Sequence, residues 1–477
     1  MLAWGLAAAS AAASAAVTGC GARELPPLGE VLVVVDTDLP VPRVVSELRV
    51  DVYGEDGAWL DARAIARPDP RDWPASFSVQ ASDDARDRVV AIRVRAHGPR
   101  VRDYRGAARL VAGGVDVTPP TEPLPSLAVD RLAMVRLRPG ERGRLRLVLR
   151  AACAGAPAVV DPPRKTCVDR DGETIDVAVS PLEAAFDTPT ASEVGSASRT
   201  PCPAGTRDGA RCLEGGAFVL GESDVSVVPD ARLPLSPERV VRVATFAIDR
   251  DEVTVARYRD ALARGFVAPE PPGASEGDVG ADPKTACSYS EAPRGREGYA
   301  LTCVSWPTAR AFCKFMGGDL PGEAQWEYAA TSAERTGKAQ FPWGDEPPDC
   351  GRAVYGRLEL AGFPGSCQER GLGPLPALVA GAPSAPGDVS AAGVRGLAGG
   401  VSEWTRDAAS AYDAPCWRGS GQDPGCAGGA DDARVVRGGS WGAPPIAVRG
   451  ASRLSSSGTS ALVGFRCVYP VTTAGAP

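Results

Sequence analysis

The sequence predicts an α+β protein with an all-β, sandwich-like N-terminal domain and a C-terminal domain that contains few helices. Short apolar runs recur over residues 31–150 between Pro, Gly and Asp, the pattern of antiparallel sandwiches. Only two or three stretches after residue 206 show helical periodicity. The 477 residues include 55 Gly and 44 Pro, a composition that favours short strands joined by ordered loops. The length suggests two or three domains.

The N-terminal domain is predicted over residues 31–176 from β-branched or alternating runs, closed by a loop between Cys153 and Cys167. A Ser-, Thr-, Ala- and Pro-rich linker is expected over 177–205, followed by a second domain over 206–470. The predicted strands are 31–35, 48–53, 77–79, 89–94, 134–137 and 144–149.

Three helices are predicted in the second domain. The first begins after Thr254, whose hydroxyl can cap it, and places Val255, Tyr258 and Leu262 on one face. The second has Ser305 as its N-cap and ends at a Gly pair, and a third is expected over about 322–332. The apolar stripe of the second helix is formed by Ala309, Phe312, Cys313 and Met316.

The first nineteen residues have the pattern of an export signal. Residues 2–17 are small and apolar, and Val17-Thr18-Gly19-Cys20 resembles a bacterial lipobox. This predicts a lipoprotein signal peptide over 1–19, a lipid on Cys20, a tether over 20–30 and a place in the cell envelope. Gly21 after Cys20 resembles the pattern of outer-membrane lipoproteins. Residues 1–6 depart from the usual pattern of export signals, because they carry no Lys or Arg. The alternative to a lipoprotein signal is a cleaved secretory signal followed by an ordinary cysteine.

Export makes disulfides the expected state of the twelve cysteines that follow Cys20. Four close pairs are predicted to form local bridges, and spacing leaves the partners of four others open. No Cys-x-x-Cys motif supports a thiolate metal site. The predicted pairs are Cys153 with Cys167, Cys202 with Cys212, Cys350 with Cys367 and Cys416 with Cys426, and the unassigned residues are Cys287, Cys303, Cys313 and Cys467.

Charge and histidine content exclude several classes of function. The formal charge is −7, from 52 basic and 59 acidic residues, so nucleic acid is not an expected partner. His97 is the sole histidine in the sequence. A metal site with two or three histidines therefore cannot be built within one chain, nor can a histidine-dependent nucleophile triad away from residue 97.

Seven blocks in the C-terminal half resemble the sulfatase-modifying-factor family, the formylglycine-generating enzyme domain. They span about 225 residues in the order that the family has, and the N-terminal half is not covered. The blocks are the segment from Phe246 to Thr254, Val304-Ser-Trp306 with Ala311-Phe-Cys313, the segment from Gly317 to Tyr328, Phe341-Pro-Trp-Gly-Asp-Glu346, the segment from Gly393 to Trp404, the segment from Arg434 to Trp441, and Gly464-Phe-Arg-Cys467.

The resemblance implies a C-type-lectin-like fold with little regular structure. In the oxidase members, two cysteines after the Gly-Gly-Ser motif bind copper(I), and here Ala443 and either Pro445 or Val448 stand at those positions. No cysteine occurs between Cys426 and Cys467, so copper is not expected. Another branch of the family holds a non-haem iron with histidines, which this chain lacks outside His97.

The calcium loop of the family is eroded in this sequence. Glu403 matches a carboxylate ligand, and Gly399 and Val401 match carbonyl ligands, but Gly396 stands where Asn or Asp supplies another oxygen. The alternatives are a weakened calcium site and a buried structural carboxylate at Glu403. No other cofactor is expected. The family-block tryptophans are predicted to be core residues; they are Trp306, Trp326, Trp343, Trp404 and Trp441.

These observations predict a lipid-anchored envelope protein with a non-catalytic C-terminal domain that binds a peptide, glycan or partner protein, or serves as a scaffold. A binding role predicts a concave surface near Trp441 and Arg449, whereas a scaffold role predicts that the loop 413–432 fills it. One alternative is an enzyme, either a formylglycine-generating oxidase or another activity in the same cleft. A further alternative places the function in residues 31–150 as an adhesin-like module.

Overall fold

The computed structural model describes most of the chain beyond residue 28. The described residues are 29–81, 87–98, 123–169, 172–184, 191–205, 207–223, 233–276, 286–357, 367, 387–418, 421–429 and 432–471, with the backbone of 111–112 and 115–116. The predicted lipidation site, Cys20, lies outside them. None of the described helices is long and apolar enough to cross a membrane.

The N-terminal domain is a sandwich of two sheets, as predicted. One sheet has the strand order β4-β1-β9 and the other β3-β2-β5-β8. Val31, Val33 and Val35 of β1 point into the core between them and are fully buried. The strands are β1 (Glu30–Thr37), β2 (Glu47–Gly54), β3 (Trp59–Ala66), β4 (Ala75–Gln80), β5 (Arg88–His97), β6 (Val111–Ala112), β7 (Val115–Asp116), β8 (Ala128–Leu137) and β9 (Arg142–Leu149). Each of the six predicted strands lies within or overlaps one of these.

The outer face of the four-stranded sheet is covered by the loop that the Cys153–Cys167 disulfide closes. This loop and the residues after it form a small hairpin, β10 (Lys165–Cys167) and β11 (Thr174–Asp176). The Thr166 hydroxyl accepts a hydrogen bond from the Leu132 backbone N–H, which ties the hairpin to β8. Ion pairs among Asp51, Arg93, Arg95 and Asp130 are buried beneath this cover.

Residues 177–205, predicted as a linker, make hydrogen bonds with both domains. The Ser180 N–H donates to the Met134 carbonyl of β8, and the Thr200 N–H donates to the Glu214 carbonyl of the second domain. Arg43 extends from the loop between β1 and β2 and donates to the carbonyls of Ser332 at 2.7 Å, Arg335 at 3.0 Å and Ala217 at 3.1 Å. The domains therefore pack directly against each other.

The C-terminal domain combines short strands with three helices among its described residues. Its sheets have the orders β12-β15-β20, β13-β14 and β18-β17-β16-β19. The elements are β12 (Ala210–Leu213), β13 (Gly216–Leu220), β14 (Arg239–Val243), β15 (Phe246–Asp249), α1 (Val255–Ala263), α2 (Trp306–Phe315), α3 (Glu323–Thr331), β16 (Ser402–Ala408), β17 (Arg434–Arg437), β18 (Arg453–Ser456), β19 (Val463–Gly464) and β20 (Val468–Pro470).

The three helices lie where the sequence predicts them, with two local differences. The Thr254 hydroxyl accepts a hydrogen bond from the Arg257 N–H, which confirms the predicted cap of α1. Ser305 is the N-cap residue of α2, but its hydroxyl makes no capping bond. The buried face of α1 includes Ala261, whereas Leu262, predicted to be on that face, is 37% exposed.

Helix α3 runs through the core, and even its polar side chains are buried. It begins after Gly322, which has no side chain to cap it. The carboxylate of Asp407 on β16 accepts a hydrogen bond from the Glu323 N–H at 2.6 Å instead. A side chain distant in sequence thus supplies the cap that Gly322 cannot.

Candidate functional site

The positions that correspond to the family's copper cysteines lie after β17, beyond a tight turn. Gly438 and Gly439 form this turn with φ of +93° and +70°, and a Cβ atom on Gly438 would lie 3.1 Å from the Trp326 ring. Ala443 is 7% exposed, and its carbonyl accepts a hydrogen bond from the Gly356 N–H. Val448 is completely buried in an apolar cluster with Phe341 and Tyr355. Apolar packing thus occupies these positions.

All twelve cysteines among the described residues form disulfides. No thiolate is therefore left in the described part of the chain to bind a soft metal such as copper(I). The four pairs predicted from close spacing are present, and they are Cys153 with Cys167, Cys202 with Cys212, Cys350 with Cys367 and Cys416 with Cys426.

The four cysteines that spacing left unassigned form the bridges Cys287–Cys303 and Cys313–Cys467. Spacing could not assign these pairs, because Cys303 lies between two near candidates, Cys287 and Cys313, and because Cys313 and Cys467 are 154 residues apart. The Cys350–Cys367 bridge lies beside one of the candidate copper-cysteine positions, because Cys367 is buried in the same apolar cluster as Val448.

The carboxylate of Glu403, the candidate calcium ligand, is completely buried and paired with Arg466. Arg466 donates to Oε1 at 2.6 Å and to Oε2 at 2.7 Å, and the Trp326 indole N–H donates to Oε2 at 2.8 Å. The same guanidinium also donates to the Gly396 carbonyl at 3.1 Å. These contacts satisfy both oxygens of Glu403 within the protein.

The residues of the eroded calcium loop do not fit a calcium ion. A cation at Glu403 would lie beside the buried guanidinium of Arg466, and like charges repel strongly in a poorly solvated interior. Of the proposed carbonyl ligands, Gly399 donates its N–H to the Gly438 carbonyl and Val401 has its side chain buried beside Ala300, and neither contact involves their carbonyl oxygens. No group of three or more acidic, Cys or His side chains among the described residues is arranged to hold a metal. The pairing of Glu403 with Arg466 favours a buried structural carboxylate over a calcium ligand.

Two further buried carboxyl groups lie in the electrostatic field of Arg466: Glu252 Oε2 is 3.9 Å from its guanidinium, and the charge of Arg466 also acts on Asp388. Glu252 and Asp388 are 4% and 5% exposed, and each has one carboxyl oxygen without a hydrogen-bond partner. Burial raises the pKa of Glu252 to about 8 and that of Asp388 to about 7, against the opposing effect of Arg466. We call Arg466, Glu403, Glu252 and Asp388 the Arg466 cluster.

The Arg466 cluster explains why Gly396 departs from the family pattern. A Cβ atom on Gly396 would lie 2.6 Å from both carboxyl oxygens of Glu252, so the Glu252 side chain fills the space of the missing Asn or Asp. Glu252 also lines a polar pocket of about 260 Å³ with Asp249, Asp251 and Arg257. This pocket borders the Arg466 cluster through Glu252. Sequence reasoning did not identify it.

Trp441 and Arg449, the residues proposed to line a cleft, make internal contacts. Trp441 is 1% exposed and donates to the Ala461 carbonyl. Arg449 forms a bidentate ion pair with Glu222 and donates to the Gln340 side chain at 3.0 Å. Both side chains therefore stabilise the domain interior, and neither presents its polar group to a ligand.

The other family-block tryptophans divide into two groups. Trp326 and Trp404 are core residues, as predicted, whereas Trp306 and Trp343 are half-buried. The Arg434 guanidinium lies 3.9 Å from the centre of the Trp306 ring. The half-buried rings thus lie at the domain surface, where they contact arginine side chains.

The loop 413–432 folds onto the domain rather than standing apart. The Cys416–Cys426 disulfide closes it, and Trp417 is buried against Tyr412 with ring centres 5.0 Å apart. The carboxylate of Asp423 accepts a hydrogen bond from the Ala244 N–H beside β14. These contacts place the described part of the loop over β14.

The profile of the sulfatase-modifying factor enzyme 1-like domain matches residues 197–471, more than half of the chain. The chain belongs to this family. The match begins before the predicted domain start at residue 206 and includes the segment that carries Cys202.

Three relatives in the family illustrate the range of similarity. The chain is 31% identical over 191 residues to formylglycine-generating enzyme of Streptomyces coelicolor, covering 34% of this chain and 57% of the relative. It is 28% identical over 272 residues to hercynine oxygenase of Mycolicibacterium smegmatis, covering 50% of this chain and 55% of the relative. It is 32% identical over 178 residues to inactive C-alpha-formylglycine-generating enzyme 2 of Bos taurus, covering 35% of this chain and 50% of the relative. The chain spans about half the length of the curated relatives it matches.

Proposed function

We propose that this sulfatase-modifying-factor domain is a non-catalytic binding or scaffold module of an envelope lipoprotein. The pairing of all twelve described cysteines carries the proposal, because copper(I) chemistry of the oxidase type needs two thiolates. Ala443, at the first of those positions, and both Pro445 and Val448, the alternatives for the second, have no side-chain atom that could bind a metal. The bovine relative named as an inactive enzyme is consistent with a non-catalytic member of this family.

Iron chemistry of the histidine-dependent kind lacks ligands in this chain. His97 lies in β5 of the N-terminal domain, where its Nδ1 atom is 2.8 Å from the Gly98 carbonyl oxygen. Burial lowers its pKa, so the imidazole is predominantly neutral at pH 7. One histidine in the other domain cannot form the set of ligands that such an iron needs.

An activity assay on the full chain without its signal peptide tests the proposal. The protein is incubated with a Cys-x-Pro-x-Arg peptide, copper(I) and oxygen, and mass spectrometry follows conversion of the cysteine to formylglycine. We expect no conversion under conditions in which the Streptomyces coelicolor enzyme converts the peptide. Aldehyde formation by this chain would falsify the non-catalytic proposal.

Thiol titration of the same sample, denatured without a reductant, provides the matched control. We expect no free thiol from the twelve paired cysteines, with Cys20 replaced by Ala so that it does not contribute. A pair of reactive thiols would show that a disulfide assigned here is open in solution and available to a metal. That result, together with peptide conversion, would assign the chain to the oxidases.

We also propose that a lipid on Cys20 anchors the protein to the outer membrane. The lipobox-like sequence before Cys20 supports the anchor, and the described fold begins nine residues later, at Gly29. Detergent phase partitioning of the protein from a bacterial host should place the wild type in the detergent phase and Cys20→Ala in the aqueous phase. Equal partitioning of the two proteins would contradict the anchor without affecting the proposal for the C-terminal domain.

A further inference from the structure

The described chain enters the N-terminal sandwich at one of the two ends of its strands. Glu30 pairs with Arg142 at the start of β9, and a short turn joins β9 to the end of β8 at Leu137. The end of β8 lies beside the start of β5, which pairs with Gly54 at the end of β2. We call this end of the sandwich the tether end; it is formed by Gly29 and by the turns 54–58 and 138–141.

The C-terminal domain packs against the opposite end of the sandwich. Arg43 lies in the loop that joins β1 to β2 there, and it donates to the carbonyls of Ser332 and Ala217. The eight residues of β1 span about 26 Å between this loop and the tether end. The contacts with the C-terminal domain thus leave the tether end open to another surface.

Two adjacent apolar side chains are exposed at the tether end. Trp59 and Leu60 follow the turn 54–58 as the first residues of β3, and they are 52% and 59% exposed. Strand β3 is the edge of its sheet. Because successive residues of a strand point to opposite faces, the two side chains flank this edge.

We propose that Trp59 and Leu60 insert into the surface of a zwitterionic phospholipid bilayer, the membrane to which the protein is anchored. The inference rests on the proposed lipid on Cys20. Gly29 is nine residues after Cys20, and this length of chain spans at most about 30 Å, so the tether end stays close to the bilayer. Trp is enriched where the headgroups meet the acyl chains, and an apolar side chain beside it is stabilised by burial among those chains.

The charges around the turn 54–58 favour a zwitterionic over an anionic surface. Glu55 and Asp56 are exposed in this turn. The exposed guanidinium of Arg63 lies 3.4 Å from the Asp61 carboxylate, and Arg164, which donates to the Glu55 carbonyl, is buried. The exposed charge of the turn is therefore negative, and anionic lipids would repel it.

Quenching of tryptophan fluorescence by brominated acyl chains tests the contact. The chain from residue 21, with an N-terminal histidine tag in place of the lipid, is held on phosphatidylcholine vesicles by nickel-chelating lipid, so the result does not depend on lipidation of Cys20. Eight tryptophans follow the signal peptide, so bromination should lower the total fluorescence by about one eighth if Trp59 alone inserts. Trp59→Phe should remove this loss. Phosphatidylglycerol, added at a constant share of brominated lipid, should reduce it.

Each variant has a matched control in the C-terminal domain. Trp343 is half-buried, and Trp343→Phe should keep the loss of fluorescence. Leu60→Asp should reduce the loss by about half or more, since a charge replaces an inserted apolar side chain. Val267→Asp, at a side chain that is 83% exposed, should behave as the wild type does.

Four results would overturn the proposal. Three concern quenching: none in the wild type although it co-sediments with the vesicles, an equal loss in Trp59→Phe, and a larger loss with anionic lipid. The fourth is a dimer in sedimentation that Leu60→Asp dissociates, which would make a second copy of this chain the occupant. Failure of the lipid anchor is detected separately, by the detergent partitioning of Cys20→Ala.

Discussion

Both domains bury clusters of charged side chains beside a disulfide, but the balance of charge differs. In the N-terminal domain, two guanidiniums, Arg93 and Arg95, meet two carboxylates, Asp51 and Asp130, beneath the loop of Cys153–Cys167. In the Arg466 cluster, one guanidinium lies within 4 Å of Glu403 and Glu252 and acts electrostatically on Asp388, beside Cys313–Cys467. Because Arg49 also pairs with Asp51, the N-terminal cluster has at least one cation for each carboxylate, whereas the Arg466 cluster has one for three.

The difference shows that the charged partners of a buried carboxyl group decide whether its pKa is lowered or raised. Asp130 is as deeply buried as Glu252, and burial raises the pKa of both. For Asp130, the charges of Arg93 and Arg95 outweigh burial and hold its pKa well below the ordinary value. For Glu252, burial prevails, because Arg466 is shared and the charge of Glu403 adds to the effect of burial.

The largest expected difference between the domains concerns their disulfides. Replacing Cys313 and Cys467 with Ala should lower the free energy of unfolding by about 5 kcal/mol, and replacing Cys153 and Cys167 by about 3 kcal/mol. The reason is the length of chain that each bridge closes, with separations of 154 and 14 residues. Denaturant unfolding measures both. Equal losses would show that loop length does not control the effect, and that the buried clusters beside the disulfides do.

Removing the guanidinium of Arg466 should be nearly as damaging. Arg466→Met leaves the buried carboxylate of Glu403 with the Trp326 indole N–H as its remaining side-chain donor and should cost about 3–5 kcal/mol in denaturant unfolding. Arg93→Met should cost less, because Asp51 keeps its ion pair with Arg49 and Asp130 keeps its ion pair with Arg95. Exposed Arg264→Met should cost less than about 0.5 kcal/mol. A loss below about 1 kcal/mol at Arg466 would mean that the cluster is less tightly paired than its distances indicate.

The free energy of unfolding should change with pH in opposite directions for the two clusters. Because the folded pKa of Glu252 is raised to about 8, the folded protein holds a proton that the unfolded chain has released above about pH 4.5. The stabilising effect of this bound proton is complete below the pKa of Glu252 in the unfolded chain and is lost as the pH rises toward 8. The lowered pKa of Asp130 acts in the opposite direction, and its contribution is lost as the pH falls below about 4.

Glu252→Gln tests this sign. It should make the free energy of unfolding fall less steeply between pH 5 and 7, by about 1.4 kcal/mol per pH unit, the effect of one proton. Glu346→Gln, at a side chain that is 77% exposed, should leave the slope unchanged. An unchanged slope for Glu252→Gln would show that Glu252 is ionised in the folded protein.

The smallest effect concerns two helix caps that look equivalent in the sequence. Thr254→Ala should cost about 1 kcal/mol, because the hydroxyl accepts the Arg257 N–H. Ser305→Ala should be close to neutral, because the Ser305 hydroxyl makes no capping bond. Thermal unfolding compares the two, and a larger loss for Ser305→Ala would contradict the caps seen in the structure.

The elements that sequence reasoning predicted are those whose signal is local. The strands around Val33 and Ile92 have alternating or β-branched runs, and α1 has a hydroxyl cap. Strand β3 was missed because Trp59–Ala66 places charged residues on the inner face of an edge strand and has little β-branched character.

The candidate site could be predicted only in part, for the same reason. The absence of copper cysteines is a property of the sequence itself. The pairing of Glu403 with Arg466 is not, because the two residues are 63 positions apart, and the Gly464–Cys467 block does not reveal the partner of its arginine. Nor does the sequence show that Glu252 fills the space beside Gly396. Nor can the sequence of the family block show whether the Trp441 indole lines a cleft or packs in the core, where the structure places it.

The insertion of Arg43 into the C-terminal domain has a mechanical consequence. Its guanidinium donates to the carbonyls of Ser332 and Arg335, which follow α3, and to that of Ala217 in β13. Tension on β1 therefore reaches the residues that follow the central helix of the second domain through this side chain, in addition to the covalent path and to the apolar contacts of Ala217 and Val240 with the sandwich core. Shortening the loop between β1 and β2 would withdraw that side chain and leave the apolar contacts to transmit the load.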